Sequence, residues 1–223
     1  GRLRKLRTTT RGDAMPFKTD AGTRRAERDD LDTVVGWMSE PDFQYFLYGD
    51  PAQSPRQIRE RIVSMLGRAP GQTMPGGVQL MIDSPSLGPV GLVALQNISW
   101  RNRSCSLDIY IGRTHLRNRM VTAVAVLRAL EYAFDELNLH RVGAFIYAFN
   151  TASWRIFEMS GAKRELVLRR QVLRDGVLHD VYGYGVLREE FDEARRVRSR
   201  LVESASLEEM VKSLPADDEE PKA

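Results

Sequence analysis

The sequence predicts an α/β fold of the α+β kind: a mixed, mostly antiparallel sheet with a central strand–helix–strand crossover and flanking helices. Three observations carry this. Three strand-like segments between residues 78 and 111 are joined by short polar connections, the spacing of an antiparallel meander. One long amphipathic stretch, roughly Asn118 to Leu137, then separates the meander from a further strand, as a crossover between parallel strands requires. Near the end, Asp175-Gly176 interrupts an alternating stretch with a dipeptide suited to a tight hairpin.

The elements follow in order. Asp29 to Ser39 places Leu31, Val34, Val35 and Met38 at helical spacing behind an aspartate N-cap, and Pro41 is expected to close that helix. Phe43 to Gly49 is an aromatic connector. A second helix begins at Ser54-Pro55, with proline at the first helical position and Ile58, Ile62, Met65 and Leu66 along one face. Ala69 to Gly77 is rich in Gly and Pro and reads as a loop. The strands Val78–Ile82, Val90–Ile98 and Ser104–Ile111 come next. In the long helix Met120, Val124, Leu127, Leu130, Phe134 and Leu137 recur at three- and four-residue steps, so one face is expected to be buried. Arg141–Phe149 is a strand, Thr151–Met159 a short helix, and Glu165–Leu173 with Val177–Leu187 a closing hairpin. Residues 1–15 form a basic arm, 16–191 the folded domain, and 192–223 a charged, partly helical extension over Glu193–Ser204 and Leu207–Leu214.

Composition excludes several function classes. A chain of 223 residues that is 42% hydrophobic has enough apolar material for a packed core. No apolar run approaches the roughly 18 residues that span a bilayer, so no membrane partner is expected. One cysteine, Cys105, and three scattered histidines leave no basis for a disulfide framework or a metal site. The net charge of +3 is concentrated in an arm carrying Arg2, Arg4, Lys5, Arg7 and Arg11, with no apolar stretch after it to make a secretory leader. A cytoplasmic location is expected. The arm can meet nucleic acid, but the folded region offers no recognition helix or aromatic RNA-binding motif.

Chemistry enters at Leu107–Met120, where a strand runs into the start of the long helix. Such a junction exposes backbone N–H groups at the positive end of the helix dipole, and Arg113, Arg117 and Arg119 add charge there. An anion such as a phosphate suits it; the plainer reading is a helix start carrying solvated arginines.

The stretch Glu131–Val142, with Phe134, Glu136, Leu137, Leu139, His140 and Arg141, is followed by Asn150-Thr151-Ala152-Ser153-Trp154-Arg155-Ile156-Phe157-Glu158-Met159-Ser160-Gly161. Together with the element order, these motifs resemble the GCN5-related N-acetyltransferase (GNAT) superfamily over roughly Phe17 to Leu187. The resemblance is greatest to the branch of ribosomal-protein and polyamine acetyltransferases. It implies acetyl-CoA, or another acyl-CoA, as co-substrate and no metal. The acceptor would be the amine of a small molecule, a peptide or a protein N-terminus. It further implies that Arg117, Asn118, Arg119, Met120, Val121 and Thr122 bind the pyrophosphate. The pantetheine arm would lie between two splayed parallel strands, against backbone near Ile109 and Ile111 and beside Asn150.

The chain departs from the family pattern at informative positions. The pyrophosphate loop normally carries small residues where Met120 and Thr122 stand, so the loop is degenerate; glycine there allows close backbone approach. Phe157 occupies the place of a tyrosine general acid and has no proton to give; the resemblance implies a serine earlier in the helix in that role for some members of the branch, and Ser153 stands at that position as the candidate acid. Ser106 stands where relatives carry a glutamate. Asp108, two residues on and therefore on the same strand face, is the candidate base, with Tyr110 as an alternative acid or substrate contact. Each also has a plain structural role open to it: helix capping for Ser153, edge polarity for Asp108. The aromatic group Phe43, Tyr45, Phe46 and Tyr48 either stacks a substrate or fills the gap above the sheet. His140-Arg141 reads as structural, and Cys105 as a buried small residue.

The leading function is an acyl-CoA-dependent N-acyltransferase in which an amine attacks the thioester directly. Two alternatives stay open: a catalytically silent relative that binds or regulates, and an acyltransferase that takes its acyl group from a carrier protein. A homodimer is compatible with the sequence.

Overall fold

The computed structural model of the protein describes residues 22–47, 52–66, 74–84, 87–112 and 119–204. Seven strands form one sheet in the order β1-β2-β3-β4-β5-β7-β6: β1 Gly22–Arg25, β2 Val78–Ser84, β3 Gly88–Ser99, β4 Ser104–Ile111, β5 Arg141–Tyr147, β6 Lys163–Arg174 and β7 Val177–Leu187. Every neighbouring pair is antiparallel except β4–β5, which is parallel and joined by the crossover. The helices are α1 Leu31–Met38, α2 Pro41–Leu47, α3 Pro55–Leu66, α4 Arg119–Glu131, α5 Thr151–Met159 and α6 Arg188–Ser204.

The sheet is covered unequally on its two faces. On one, α4, α5 and α6 bury Leu80, Val93, Leu95, Leu107, Val142 and Val186 in the main core. Ala125, Ala129 and Ala133 are fully buried there, because small side chains let the crossover helix sit close to the strands. On the other face, Val34, Val35 and Met38 of α1 and Ile58 and Ile62 of α3 pack on Met81 and Leu92, with Tyr110 at their edge. The alternation along β4 divides its side chains accordingly: Cys105, Leu107 and Ile111 into the main core, Ser106, Asp108 and Tyr110 toward the face that carries α1 and α3.

The meander, the helix start at Pro55, the helix Thr151–Met159 and the strand Val177–Leu187 fall where the sequence places them. Asp175 and Gly176 both have positive φ, 49° and 77°, the geometry of the tight hairpin turn the dipeptide favours. Other expectations need correction. Strand β1 was not foreseen, since Gly-Thr-Arg-Arg lacks apolar alternation; it is fixed by its ladder to β2 and by Arg24, which bridges Asp30 and Asp83. Pro41 opens α2 rather than simply stopping α1, because its missing N–H is harmless at a first helical position. The aromatic connector is thus largely helical; Tyr48 lies outside the described residues. The long helix ends its α-helical course at Glu131 and continues as a π-turn over Tyr132–Glu136, closed by the Leu137 N–H donating to the Tyr132 carbonyl at 3.0 Å. The helix expected from Glu193 starts five residues earlier, at Arg188, because Phe191 is fully buried against Phe134 at 5.4 Å between ring centres. The stretch Leu207–Leu214 lies outside the described residues, as do 67–73 of the Gly/Pro-rich loop.

Candidate active site

The parallel pair at the centre of the sheet is incomplete. Strands β4 and β5 are in register only at Ser104/Arg141, Cys105/Val142 and Ser106/Gly143. Beyond that, β4 follows β3 as far as Ile111/Gly91, while β5 follows β7 as far as Tyr147/Val181. Each strand keeps its outer partner, so their inner edges diverge into a wedge. Backbone N–H and C=O groups on such edges are strong hydrogen-bonding sites without a ladder partner. Ile109 and Ile111 project their side chains toward the main core, so only their backbone faces the wedge.

Asp108 stands at this wedge. Its carboxylate accepts hydrogen bonds from the Gln96 side-chain amide on β3 and from the Tyr110 hydroxyl, and the Arg61 guanidinium on α3 acts on it electrostatically. Burial raises the Asp108 carboxyl above its ordinary value; the Arg61 charge and the two donors oppose that without cancelling it. The outcome is a carboxylate more basic than a solvated one and fixed in orientation. Tyr110 is brought directly onto Asp108. Its O–H is given to the carboxylate, a bond that favours the ionised form of Asp108. Ser106 is half-buried and paired across the strands with Gln96.

Gln96 owes its position to the backbone. Asn97 adopts φ 53°, and the β3–β4 register shifts between Gln96 and Ser99, so Gln96 is the last regular residue before the irregularity. Sequence reading missed it, as it missed Gly112 and Trp37. A Cβ at Gly112 would stand 2.0 Å from the Trp37 ring, so the indole lies against bare backbone where β4 ends. Only glycine permits that approach.

Ser153 and Asn150 are on the opposite side, where α5 packs on the main core. Asn150 is the N-cap of α5, its Oδ1 accepting from the Ser153 N–H at 3.3 Å. Among the described residues no hydrogen bond engages the Ser153 hydroxyl; the cap uses only its backbone N–H. Phe157 is buried in the core, edge-on to Tyr184 at 5.9 Å. Tyr184 donates to Glu158 at 2.7 Å and accepts from Arg164 at 3.0 Å, with its hydroxyl pushed up to about 12, chiefly by burial, so it is a locked structural group.

Of the residues assigned to the pyrophosphate, Arg117 and Asn118 lie outside the described residues, with Arg113. Arg119, Met120 and Val121 form the first turn of α4, but their side chains also fall outside the description. Thr122 is half-buried and engaged in a contact of its own. Phe43 is buried, and Tyr45 and Phe46 pack on Phe149 at 5.8 and 5.9 Å between ring centres, fastening α2 to the end of β5. Of the two readings open to these three rings, packing is the one observed. Cys105 is buried, its thiol pushed up to about 12 by desolvation, which makes it inert at neutral pH. Among the described residues there is no cluster of His, Cys, Asp and Glu able to hold a metal ion, and no helix long and apolar enough to cross a membrane.

Residues 23–163 match the model of an acetyltransferase (GNAT) domain. The chain is 23% identical over 168 residues to the uncharacterized N-acetyltransferase p20 of Bacillus licheniformis, covering 75% of this chain and 93% of that protein. It is 25% identical over 113 residues to the spermidine N(1)-acetyltransferase of Vibrio cholerae, covering 51% and 65% of the two chains. Alignments with the N-acetyltransferases YoaA and YnaD of Bacillus subtilis span only 55% and 49% of those proteins. Among solved structures, the spermidine N-acetyltransferase of Vibrio cholerae in complex with CoA and spermine superposes with a TM-score of 0.68 at 20% identity, over 78% of this chain and 99% of that one. At that identity the likeness establishes the shared fold.

Proposed function

Because the chain belongs to the GNAT acetyltransferase family, we propose that it transfers an acetyl group from acetyl-CoA to a primary amine by direct attack on the thioester, with Asp108 as general base. The observation that carries this is the pairing of the β4–β5 wedge with a half-buried, raised carboxylate at its margin.

The inner backbone edges of β4 and β5 past Ser106/Gly143, where the ladder between the two strands stops, suit the amide groups of a pantetheine arm, so the wedge fits an acyl-CoA. Bound there, the thioester supplies an activated acetyl carbonyl. The Arg117–Thr122 segment would hold the pyrophosphate, and Asn150 would fix the wedge's far wall through its cap on α5.

As the amine nitrogen bonds to the carbonyl carbon it becomes strongly acidic, so a carboxylate suffices to take its proton. Asp108 accepts that proton, its orientation set by Gln96 and Tyr110. The C–S bond breaks as the tetrahedral adduct collapses, and the Ser153 hydroxyl passes a proton to the departing sulfur as it takes one from a solvent water; Asp108 then returns its proton to solvent. Base and acid thus approach the wedge from opposite faces of the sheet.

The test is release of free CoA from acetyl-CoA across a panel of primary amines, read with a thiol reagent, for the wild type and Asp108→Asn. Amine-dependent release that falls on substitution supports the proposal. Undiminished release in the variant removes Asp108 from the base role, and release with no amine removes the activity.

A further inference from the structure

The register of the sheet identifies what lies across the wedge from Asp108. Ser106 and Gly143 are paired and share a face, so two residues further along each strand Asp108 and Phe145 share that face too. Phe145 is 61% exposed, an unusual state for a phenylalanine in an inner strand. It belongs to a flat apolar floor. Gly183 on β7 separates Phe145 from Leu166 on β6, being in register with both. A Cβ at Gly183 would stand 2.7 Å from Leu166 Cγ, so Leu166 lies down over the glycine beside the ring. Leu168 continues the floor, and both leucines are about two-fifths exposed.

The charges around this floor are already matched. Glu165, the nearest carboxylate on β6, is bonded to Arg141 through both guanidinium nitrogens. Arg61 brings positive charge to Asp108 from α3. A ligand lying here meets one base at one end, a cation beside that base, and then apolar surface. A chain of several ammonium groups would find no unpaired carboxylate along these residues, and burying an unpaired charge on an apolar floor is costly.

We infer that the acceptor is a primary monoamine carried on an apolar body, seated on Phe145 with its nitrogen directed at Asp108. This assignment rests on Asp108 being the base of the acetyl transfer. The same chemistry is offered by a small arylalkylamine and by a peptide whose first residue is apolar. Phe145 is then a specificity-determining residue, because aromatic and aliphatic groups gain contact area on its face without bringing the further ammonium groups of a polyamine, which would lose hydration there with no carboxylate to meet them.

The experiment compares kcat/KM at saturating acetyl-CoA for phenethylamine, a phenylalanine-initiated tripeptide amide and spermidine, with wild type, Phe145→Ala and Phe145→Asp. Circular dichroism and cooperative melting confirm that each variant is folded. The wild type is expected to favour one of the two apolar amines over spermidine by about tenfold or more, the size of effect an apolar contact surface supplies. Which of the two is preferred separates the small-molecule from the peptide source. Phe145→Ala is expected to raise KM for the preferred amine, and Phe145→Asp to move the preference toward spermidine. Preference of the wild type for spermidine, or a preference unmoved by both substitutions, overturns the assignment while leaving the transfer reaction intact. So does a dimer that Phe145→Asp dissociates with no change in preference, which makes the floor a subunit contact. Failure of all three amines together with every other primary amine overturns the transfer reaction itself.

Discussion

Gln96 donates its side-chain amide to Asp108 across the β3–β4 pair, one step diagonally from Ala94, which is directly opposite the aspartate. The bond favours the ionised carboxylate, while burial of the same group favours the neutral acid. Asp108 is therefore poised between two opposed effects, and small changes around it are expected to appear as changes in the pH dependence of the rate.

Removing the Gln96 donor is expected to move the acid limb of the kcat/KM profile to higher pH. Asp108 titrates above its ordinary value, and Gln96→Leu subtracts one of the influences that holds it down. Activity below the limb falls further, while the plateau at high pH is recovered because the carboxylate is ionised there. An acid limb that stays in place in Gln96→Leu shows that Asp108 does not set it.

Asp108→Asn keeps the shape of the side chain and abolishes its basicity. A drop in kcat of about 10²–10⁴-fold is expected, the range for losing a positioned general base. Acetyl-CoA affinity, measured by calorimetry, is expected to change little. Ser153→Ala is expected to lower kcat with little effect on the melting temperature, because the Asn150 cap uses the Ser153 backbone N–H and leaves the hydroxyl out.

Arg24 makes two bonds of 2.7 Å to Asp30, whose carboxylate also accepts from the Glu27 N–H at 2.9 Å. The Arg24 hydrogen bond is the main cause that holds the Asp30 carboxyl below its ordinary value. Its contribution to stability is therefore complete above the unfolded-state value of about 3.9 and is lost as pH falls through the lower folded-state value. Urea unfolding at pH 7 is expected to show a loss of about 1–3 kcal/mol in Asp30→Asn, as for a hydrogen bond to a charged group. The difference between variant and wild type should shrink in strong acid. A difference independent of pH assigns the loss to something other than this ion pair.

Gly112→Ala is expected to destabilise the protein by about 1–3 kcal/mol, the usual cost of overpacking, and to change tryptophan emission as Trp37 is displaced from the backbone. An unchanged emission spectrum with unchanged stability places the indole elsewhere.

Cys105 is expected to resist alkylation in the native protein at neutral pH and to react fully in denaturant. Mass spectrometry after iodoacetamide treatment reads both states.

Much of this was legible in the amino acids because it depends on local rules. Periodicity located the meander and the crossover, Pro55 fixed a helix start, and Asp175-Gly176 fixed a hairpin. Asp108 was found by counting two residues from Ser106, since strand alternation is a property of the sequence alone. Other features depend on non-local partners. Strand β1 has no pattern of its own and exists through its ladder with β2 and the bonds of Arg24. Phe191 looks like the end of a domain in sequence, yet Phe134, far back in the chain, draws it into the core and starts α6 early.

By itself the sequence determined the element types, the scarcity of thiol and imidazole chemistry, and the candidates Asp108, Tyr110 and Ser153. Only the tertiary structure decided how they relate. It ended the β4–β5 ladder at Ser106/Gly143, and it directed Asp108 toward the face of α1 and α3 while Ser153 stands on α5 on the other. Gln96 and Arg61 came to Asp108 from two separate elements, and no spacing in one chain segment encodes such a meeting. The physical reason is that alternation and helical period act over a few residues. The basicity of a carboxylate and the surface opposite it depend on what the folded sheet brings within a few ångströms.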